Sequence, residues 1–558
     1  MNRNSQKTIL ATGVLASALA SVSAAMGTAI LDVGEKASRC DWELLSYETV
    51  DGVKGQFAHV VATAEPGREV EIPLAAKGRY RIWIGAVAKR GGGYALHVRL
   101  GREKYPDRMQ VDFKVPNVPP ENPMIGELEF AVADLDGDTL VVRNVPGSPG
   151  GIAWVRLEPV AEEPATKRRK GAGMIATNDS YAPCHDREEF FSPFRHFAGS
   201  PVEKIFFCVV TGENSFPVRT RNGLNVKYDP STPYSRAIDV AIAKSCERLA
   251  EENPRLLEET VEYVHSLGME IHAYFRPGAA VDFRRFWMAE SNAERSDGDS
   301  VLYAPENRCR LWDGTAVGRP SYARREVRDY VLRLCAEFLG YGFDGINFAF
   351  TRALPATLFE PAFRERFRSE YGEELKDKDD PRVLELRCRI TGEFLAEVKK
   401  LLGERELSLT VLGSVERNRE FGLDVAALAK AGTVDEFIVD GEDFRFPRKI
   451  TIDKMDFESF RQATAGTKAL FRPQFTTWWN GLAPGNFRKA AENGCAPACL
   501  WDGAHMPWQD WERIRRIDGD DFSAAERWAA DHPDTWRVHP LKTVNGFDVV
   551  EYPWWMAF

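Results

Sequence analysis

Three acidic side chains each sit just past a short apolar run: Glu416 in LGSVER, Glu442 in VDGEDF and Asp502 in LWDGAH. Two carboxyl groups suffice to break an acetal, one protonated to hand a proton to the leaving oxygen, the other ionised as nucleophile or base. The protonated member needs a drier setting than its partner. Taken singly, each acid has an ordinary alternative as a helix cap or loop charge. A second group of residues has the chemistry of binding. His272, Tyr274 and Arg276 alternate along EIHAYFR, and Arg472, Gln474, Thr476 and Trp478 alternate from FRPQF onward. Three polar side chains stacked up one strand are costly in a dry core, so a ligand-binding wall is expected, with a satisfied structural network as the alternative. A flat indole with hydrogen-bonding arms beside it suits ring-shaped, polyhydroxylated ligands. These side chains are expected to converge on one pocket together with Asn347 and Arg352.

Such groups need strands to aim them. Over residues 171–515, strand-like runs alternate with helical ones. The strands are GMIATND (173–179), EKIFFCVV (203–210), EIHAYFR (270–276), FDGINFAF (343–350), ELSLTVLG (406–413), DEFIVDG (435–441), ALFRPQF (469–475) and APACLWDG (496–503). PRLLEETVEYVHSLG and RREVRDYVLRLCAEFLGYG are two of the intervening helices. Eight such units predict an α/β fold of the (β/α)8 TIM-barrel kind. No glycine-rich phosphate loop follows any of the strands, which argues against nucleotide binding. Barrel sites lie at the carboxyl ends of the strands. Alternation then turns Gly345, Asn347, Ala349 and Thr351 inward on the fourth strand, and Ser408, Thr410 and, past the end, Glu416 on the fifth. The fifth and eighth strands are three apart around the ring, as the acid-bearing strands of many sugar-cleaving barrels are. That spacing makes Glu416 and Asp502 the leading pair and Glu442 the reserve.

Before the barrel, residues 29–160 carry short strands such as EVEIPL, YRIWIGAV, YALHVRL and TLVVRNV between turn residues, the pattern of an all-β sandwich. Asp134, Asp136 and Asp138 around Gly137 lack the closing Glu of a calcium loop and are expected to form a polar hairpin turn. Residues 161–170, AEEPATKRRK, read as a linker, and 516–558 as an extension packing on the barrel. At the start, Arg3 and Lys7 precede an apolar run and the small residues Val22-Ser23-Ala24, a secretory leader cut after Ala24 or Ala25. The run is too short and too diluted by Ala, Ser and Thr to be a membrane anchor. Export, to the periplasm or outside the cell, is therefore expected, with no membrane insertion once the leader is gone. The formal net charge of −10 makes nucleic acid an unsuitable partner. The nine cysteines are scattered and odd in number, so no disulfide framework is expected; Cys495 and Cys499 lack the companions of a zinc site. Neither a metal nor a cofactor is expected, and the oligomeric state is left open.

Three segments, HSLGMEIHAYFRPG (265–278), SYARREVRDY (321–330) and YGFDGINFAFTRALP (341–355), with GLDVAALAKAGTVDEFIVD (422–440) after them, carry a resemblance. Across the barrel the chain resembles the family-10-like glycosyl hydrolases of exported bacterial proteins. The resemblance implies a barrel, a carbohydrate ligand and glycoside hydrolysis. It also places the family's strand-end Asp on Ala349, and alanine can be neither acid, base nor nucleophile. Asp344 matches an earlier acid of the family pattern, but alternation turns it to the helix side near the strand's start, a structural position. Three accounts follow: a glycoside hydrolase whose carboxylates come from other strand ends, a glycan-binding barrel that has lost catalysis, or a different enzyme or envelope protein.

Overall fold

In the computed structural model the described residues are 29–33, 42–62, 67–89, 93–113, 122–160, 173–178, 184, 186–211, 244–245, 248–277, 301, 304–352, 354–440, 452–476, 482–518, 521–531 and 538–549. The leader at 1–24 and the segment 161–170 lie outside them. Eight parallel strands close into a barrel in chain order: β1 (Met174–Asn178), β2 (Val202–Thr211), β3 (Glu270–Arg276), β4 (Gly345–Ala349), β5 (Glu406–Leu412), β6 (Glu436–Asp440), β7 (Leu470–Thr476) and β8 (Cys499–Trp501). Helices run between strands; Leu256–Ser266 precedes β3, Arg325–Gly340 precedes β4 and Pro381–Leu402 precedes β5. The helix Arg325–Gly340 buries Val327, Tyr330, Val331, Leu334, Cys335, Phe338 and Leu339, one stripe at helical spacing. That stripe meets the outward face of β3, where Phe275 packs edge-on against Phe338, and on β4 Phe348 packs likewise against Phe394 of the helix Pro381–Leu402. Asp344 lies where alternation put it: its Oδ2 accepts from the Ile271 amide at 2.8 Å and sits 2.8 Å from His265 Nε2. Among the described residues, no helix is long and apolar enough to cross a membrane.

The lumen is filled in layers. At its amino-terminal end Arg472 donates to Glu436 and to the carbonyl oxygens of Gly173 and Pro497. Lys204 Nζ reaches both Glu406 oxygens at 2.7 Å and lies 3.6 Å from Glu436. Burial pulls the Lys204 ammonium down, but Glu436 and Glu406 outweigh it and hold it above its ordinary range. His272 packs at this level, 3.9 Å from Glu406 and 3.6 Å from Glu270. It leaves no room for a side chain on the next strand: a Cβ on Gly345 would meet the imidazole at 2.6 Å, so glycine is required there. Above lies an apolar layer of Ile175, Phe206, Cys208, Tyr274, Ala349, Ile438 and Cys499.

The amino-terminal part is antiparallel β. One sheet runs Ala29–Asp32, Gly150–Pro159, Lys54–Val60, Glu43–Thr49, Val538–Val544, Pro123–Asp136, Lys77–Lys89, with Phe547–Asp548 added on Val538–Val544. Gly150–Pro159 also pairs with Lys77–Lys89, so the sheet curls around a small core of its own that includes Leu45, Tyr47, Phe57, Val87, Ile125 and Leu541. A second sheet runs Val70–Pro73, Thr139–Asn144, Tyr94–Leu100, Asp107–Val111. The aspartates around Gly137 form a hairpin turn, with Lys77, Arg79 and Arg102 paired to Asp136, Asp134 and Asp138. The carboxyl-terminal extension differs from expectation. Its helix Ser523–Asp531 does reach the barrel, through Glu526 and Arg488. Its strand Val538–Val544 instead enters the first sheet, between Glu43–Thr49 and Pro123–Asp136. The reason is an open seam: those two strands do not pair with each other, and each has backbone groups that need a partner.

The two parts meet at Glu129 and the helix Trp508–Ile514. Trp508 Nε1 donates to the Glu129 carbonyl at 2.8 Å, and the Glu129 carboxylate pairs with Arg81, Arg515 and Arg516. The Glu512 carboxyl accepts from the Glu129 amide. Burial, reinforced by the Glu129 charge, pushes Glu512 up to about 8. The folded protein thus holds a proton on Glu512 that the unfolded chain releases near its ordinary carboxylate pKa, so the contribution favours folding at low pH and is lost as pH rises toward about 8. Glu512→Gln keeps the acceptor and removes the titration. Its stability relative to the parent, measured by urea unfolding, is expected to climb between pH 5 and 8 by on the order of a few kcal/mol; a pH-independent difference would contradict this.

Candidate functional site

The described part of the carboxyl-terminal mouth is richest at the seam between β8 and β1. Asp502 follows β8 with φ 49° and ψ 30°, a left-handed conformation. A residue with a Cβ is held there at a cost, one that short polar side chains such as Asp tolerate best. Two contacts hold it: its amide donates to Thr177 Oγ1 at 2.9 Å, and the turn Gly503–His505 beyond it brings His505 Nε2 to 3.1 Å from Asn178 Oδ1. Gly503 makes the close approach possible, because a Cβ there would lie 3.0 Å from those of Ala176 and Leu500. Asp502 is half-buried, while Asn178 and Thr177 are buried.

A second carboxylate ends β6. Asp440 is 2% exposed and alternates with Glu436 and Ile438, the lumen face of its strand. Leu412 is its partner on β5. On β7 the pairing of Val439 with Pro473 makes Gln474 its neighbour. Burial pushes the Cys499 thiol up; Arg472 opposes the shift, and Glu436 and Asp440 add to it. In VDGEDF the sequence offers three acids, and nothing in their spacing singles out this one; its depth in the strand does.

The remaining sequence-derived candidates separate by height. Asn347 is buried in the lumen and commits both ends of its amide, donating to Ser408 Oγ at 2.9 Å and accepting from Thr410 Oγ1 at 3.2 Å. Tyr274 and Gln474 are buried on the lumen face, and Arg276 is half-buried at the end of β3. Glu416 is exposed in the first turn of the helix Val415–Glu420, which Ser414 caps, and among the described residues it makes no hydrogen bond or ion pair. Glu442, Trp478 and the Arg352 side chain lie outside the described residues.

His272 and Arg472 do not join the others at the mouth. Both face the lumen as alternation requires, but below the apolar layer, inside the amino-terminal ion network. Alternation reports which face a side chain occupies and is silent about height along the barrel axis. Arg472 is only the third residue of β7, and its guanidinium reaches the carbonyls of Gly173 and Pro497 just before β1 and β8. Ala349, where the resembling family has Asp, is fully buried in the apolar layer with Tyr274, Ile438 and Cys499. Among the described residues no three His, Cys, Asp or Glu side chains are grouped to hold a metal ion.

No family model matches the chain, and no curated protein does. Among solved structures it is similar to an alpha-galactosidase from Thermus thermophilus, at 14% identity over 85% of this chain and 94% of that one, TM-score 0.33. It is also similar to a GH26-CBM35 beta-(1,4)-mannanase from Podospora anserina, at 10% identity over 89% and 99%, TM-score 0.29. A third is the catalytic domain of a beta-amylase from Paenibacillus polymyxa, at 11% identity over 61% and 94%, TM-score 0.37. These neighbours are glycoside hydrolases; at such TM-scores the likeness carries no argument about this chain, whose barrel rests on its own strand order.

Proposed function

We propose that the protein is an exported, family-10-like glycoside hydrolase that acts on an oligosaccharide or polysaccharide at the carboxyl-terminal mouth of its barrel. The observation that carries this reading is Asp502, a carboxylate kept in a costly left-handed conformation at a strand end by Thr177 and its neighbouring turn. Backbone strain of this kind concentrates at functional sites. Asp502 supplies one carboxyl group. For the other, Asp440 joins Glu416 and Glu442, being lumen-facing and two strands away. Gln474, Tyr274, Arg276, Arg352 and Trp478 orient the sugar; Asn347 supports them from below. His272 and Arg472 serve the barrel rather than the ligand.

A second reading, a glycan-binding barrel without turnover, is favoured by Ala349, which packs with Tyr274, Ile438 and Cys499 where the resembling family has Asp. Release of reducing ends from a panel of plant, fungal and bacterial polysaccharides, measured alongside binding, decides between them. The hydrolase reading expects turnover by the wild type and none added by Ala349→Asp, which buries a carboxyl among Tyr274, Ile438 and Cys499 and costs a few kcal/mol of stability, roughly 2–5. Binding without turnover in the wild type, with activity appearing in Ala349→Asp, would replace it by the second reading.

A further inference from the structure

Two insertions on the mouth side of the barrel form a site of their own. One is the hairpin Arg308–Arg310 and Ala316–Pro320, between β3 and the helix Arg325–Gly340; the other is the loop at 376–378, between β4 and the helix Pro381–Leu402. Connections from strand to following helix lie at the carboxyl-terminal face of such barrels, so both belong to the rim. They are pinned together. Phe359 donates its amide to the Arg310 carbonyl at 2.9 Å, and Arg310 donates its amide to the buried Glu360 carboxylate at 3.3 Å. Arg364 donates to the carbonyls of Phe359 and Trp312 and stacks 4.3 Å over the Trp312 ring. Between the insertions lies an open depression of about 410 Å³, lined by Leu311, Trp312, Asp313, Lys376, Asp377 and Lys378.

The charges in this depression are unequally engaged. Asp313 accepts from the Thr315 amide at 2.9 Å and Asp377 from the Asp379 amide at 3.0 Å, so both carboxylates brace turns. Lys376 and Lys378 are exposed and, among the described residues, make no hydrogen bond or ion pair. Beside the depression, the guanidinium groups of Arg310 and Arg364 donate to carbonyl oxygens and, among the described residues, to no carboxylate. Lys376 and Lys378, with no carboxylate partner among the described residues, thus stand beside a half-buried indole on which Arg364 stacks, in a chain whose net charge is −10. An indole offers a flat face to a sugar ring, and ammonium groups beside it select a negative one.

We propose that this depression binds an anionic sugar residue, a uronate or a sulfate ester, of a glycan chain that continues into the barrel mouth. The proposal rests on the glycan reading of the mouth and names the substrate class. The test is affinity electrophoresis of the full-length protein through gels containing polygalacturonate, chondroitin sulfate or neutral dextran. Wild type is expected to be retarded by at least one anionic polymer and not by dextran, and the polymer that retards it identifies carboxylate or sulfate as the group bound. Lys376→Ala/Lys378→Ala should weaken that binding roughly tenfold; Lys400→Ala/Lys430→Ala, which removes the same charge from exposed positions elsewhere, should leave it unchanged. No retardation by either anionic polymer, or equal losses in the two double variants, overturns the proposal, while turnover of neutral glycans would leave the hydrolase reading standing. Lysine-dependent retardation without turnover of any glycan upholds the site and removes the hydrolase reading instead.

Discussion

Arg472→Met is expected to cost about 3–5 kcal/mol of stability, the range for removing one partner of a buried ion pair. The side chain is 2% exposed and its partner Glu436 3%. Methionine fills much of the volume but leaves Glu436, among the described residues, with Lys204 at 3.6 Å to offset its charge. It also abandons the carbonyls of Gly173 and Pro497, which lie just before β1 and β8, the two strands whose pairing closes the barrel. Arg472→Met/Glu436→Leu removes both charges and should recover most of the loss, because a buried pair replaced as a unit by apolar groups is often neutral. Urea unfolding of the three proteins checks this. A single variant as stable as the parent would mean that the network does not hold the barrel shut.

The strands of the barrel were legible because their alternation is strong. Glu270–Arg276 was read residue for residue, and the other seven differ mainly at their ends. Inward and outward faces followed from the same pattern, which put Asn347, Ser408, Thr410 and Gln474 in the lumen where they are found. Height was not legible. Arg472 and Gln474 share a face two residues apart, yet one belongs to the closed end and the other neighbours Asp440. The strand Val538–Val544 was missed because its partners, Tyr47 to Thr49 and Met124 to Gly126, lie more than 400 residues away and no local period marks it. The meeting of Thr177 and Asn178 with the turn Asp502–His505 was not legible for the same reason: it spans the β8–β1 seam, 325 or more residues apart in the chain. A polar pair ending the first strand, in IATND, was the only signal for two of them.

Asp502→Asn should lower glycan turnover by two or more orders of magnitude while leaving the fold and glycan affinity nearly intact. The amide has the shape of the carboxylate but can neither carry its charge nor exchange its proton, and acid–base or nucleophilic roles are worth about 10²–10⁴ or more in rate. The local structure tolerates the change, since the contact that fixes Asp502 is made by its main-chain amide to Thr177, and Asn enters the left-handed region as readily as Asp. Asp440→Asn, Glu416→Gln and Glu442→Gln identify the second group, as the one whose loss matches that of Asp502. The most direct measurement is the rate constant for hydrolysis of one oligosaccharide by wild type and Asp502→Asn, with binding of the same sugar and melting temperature recorded for both. Equal affinity, equal melting and a rate reduced at least about a hundredfold is the result the account predicts. Equal rates in a wild type that does hydrolyse the sugar would contradict it.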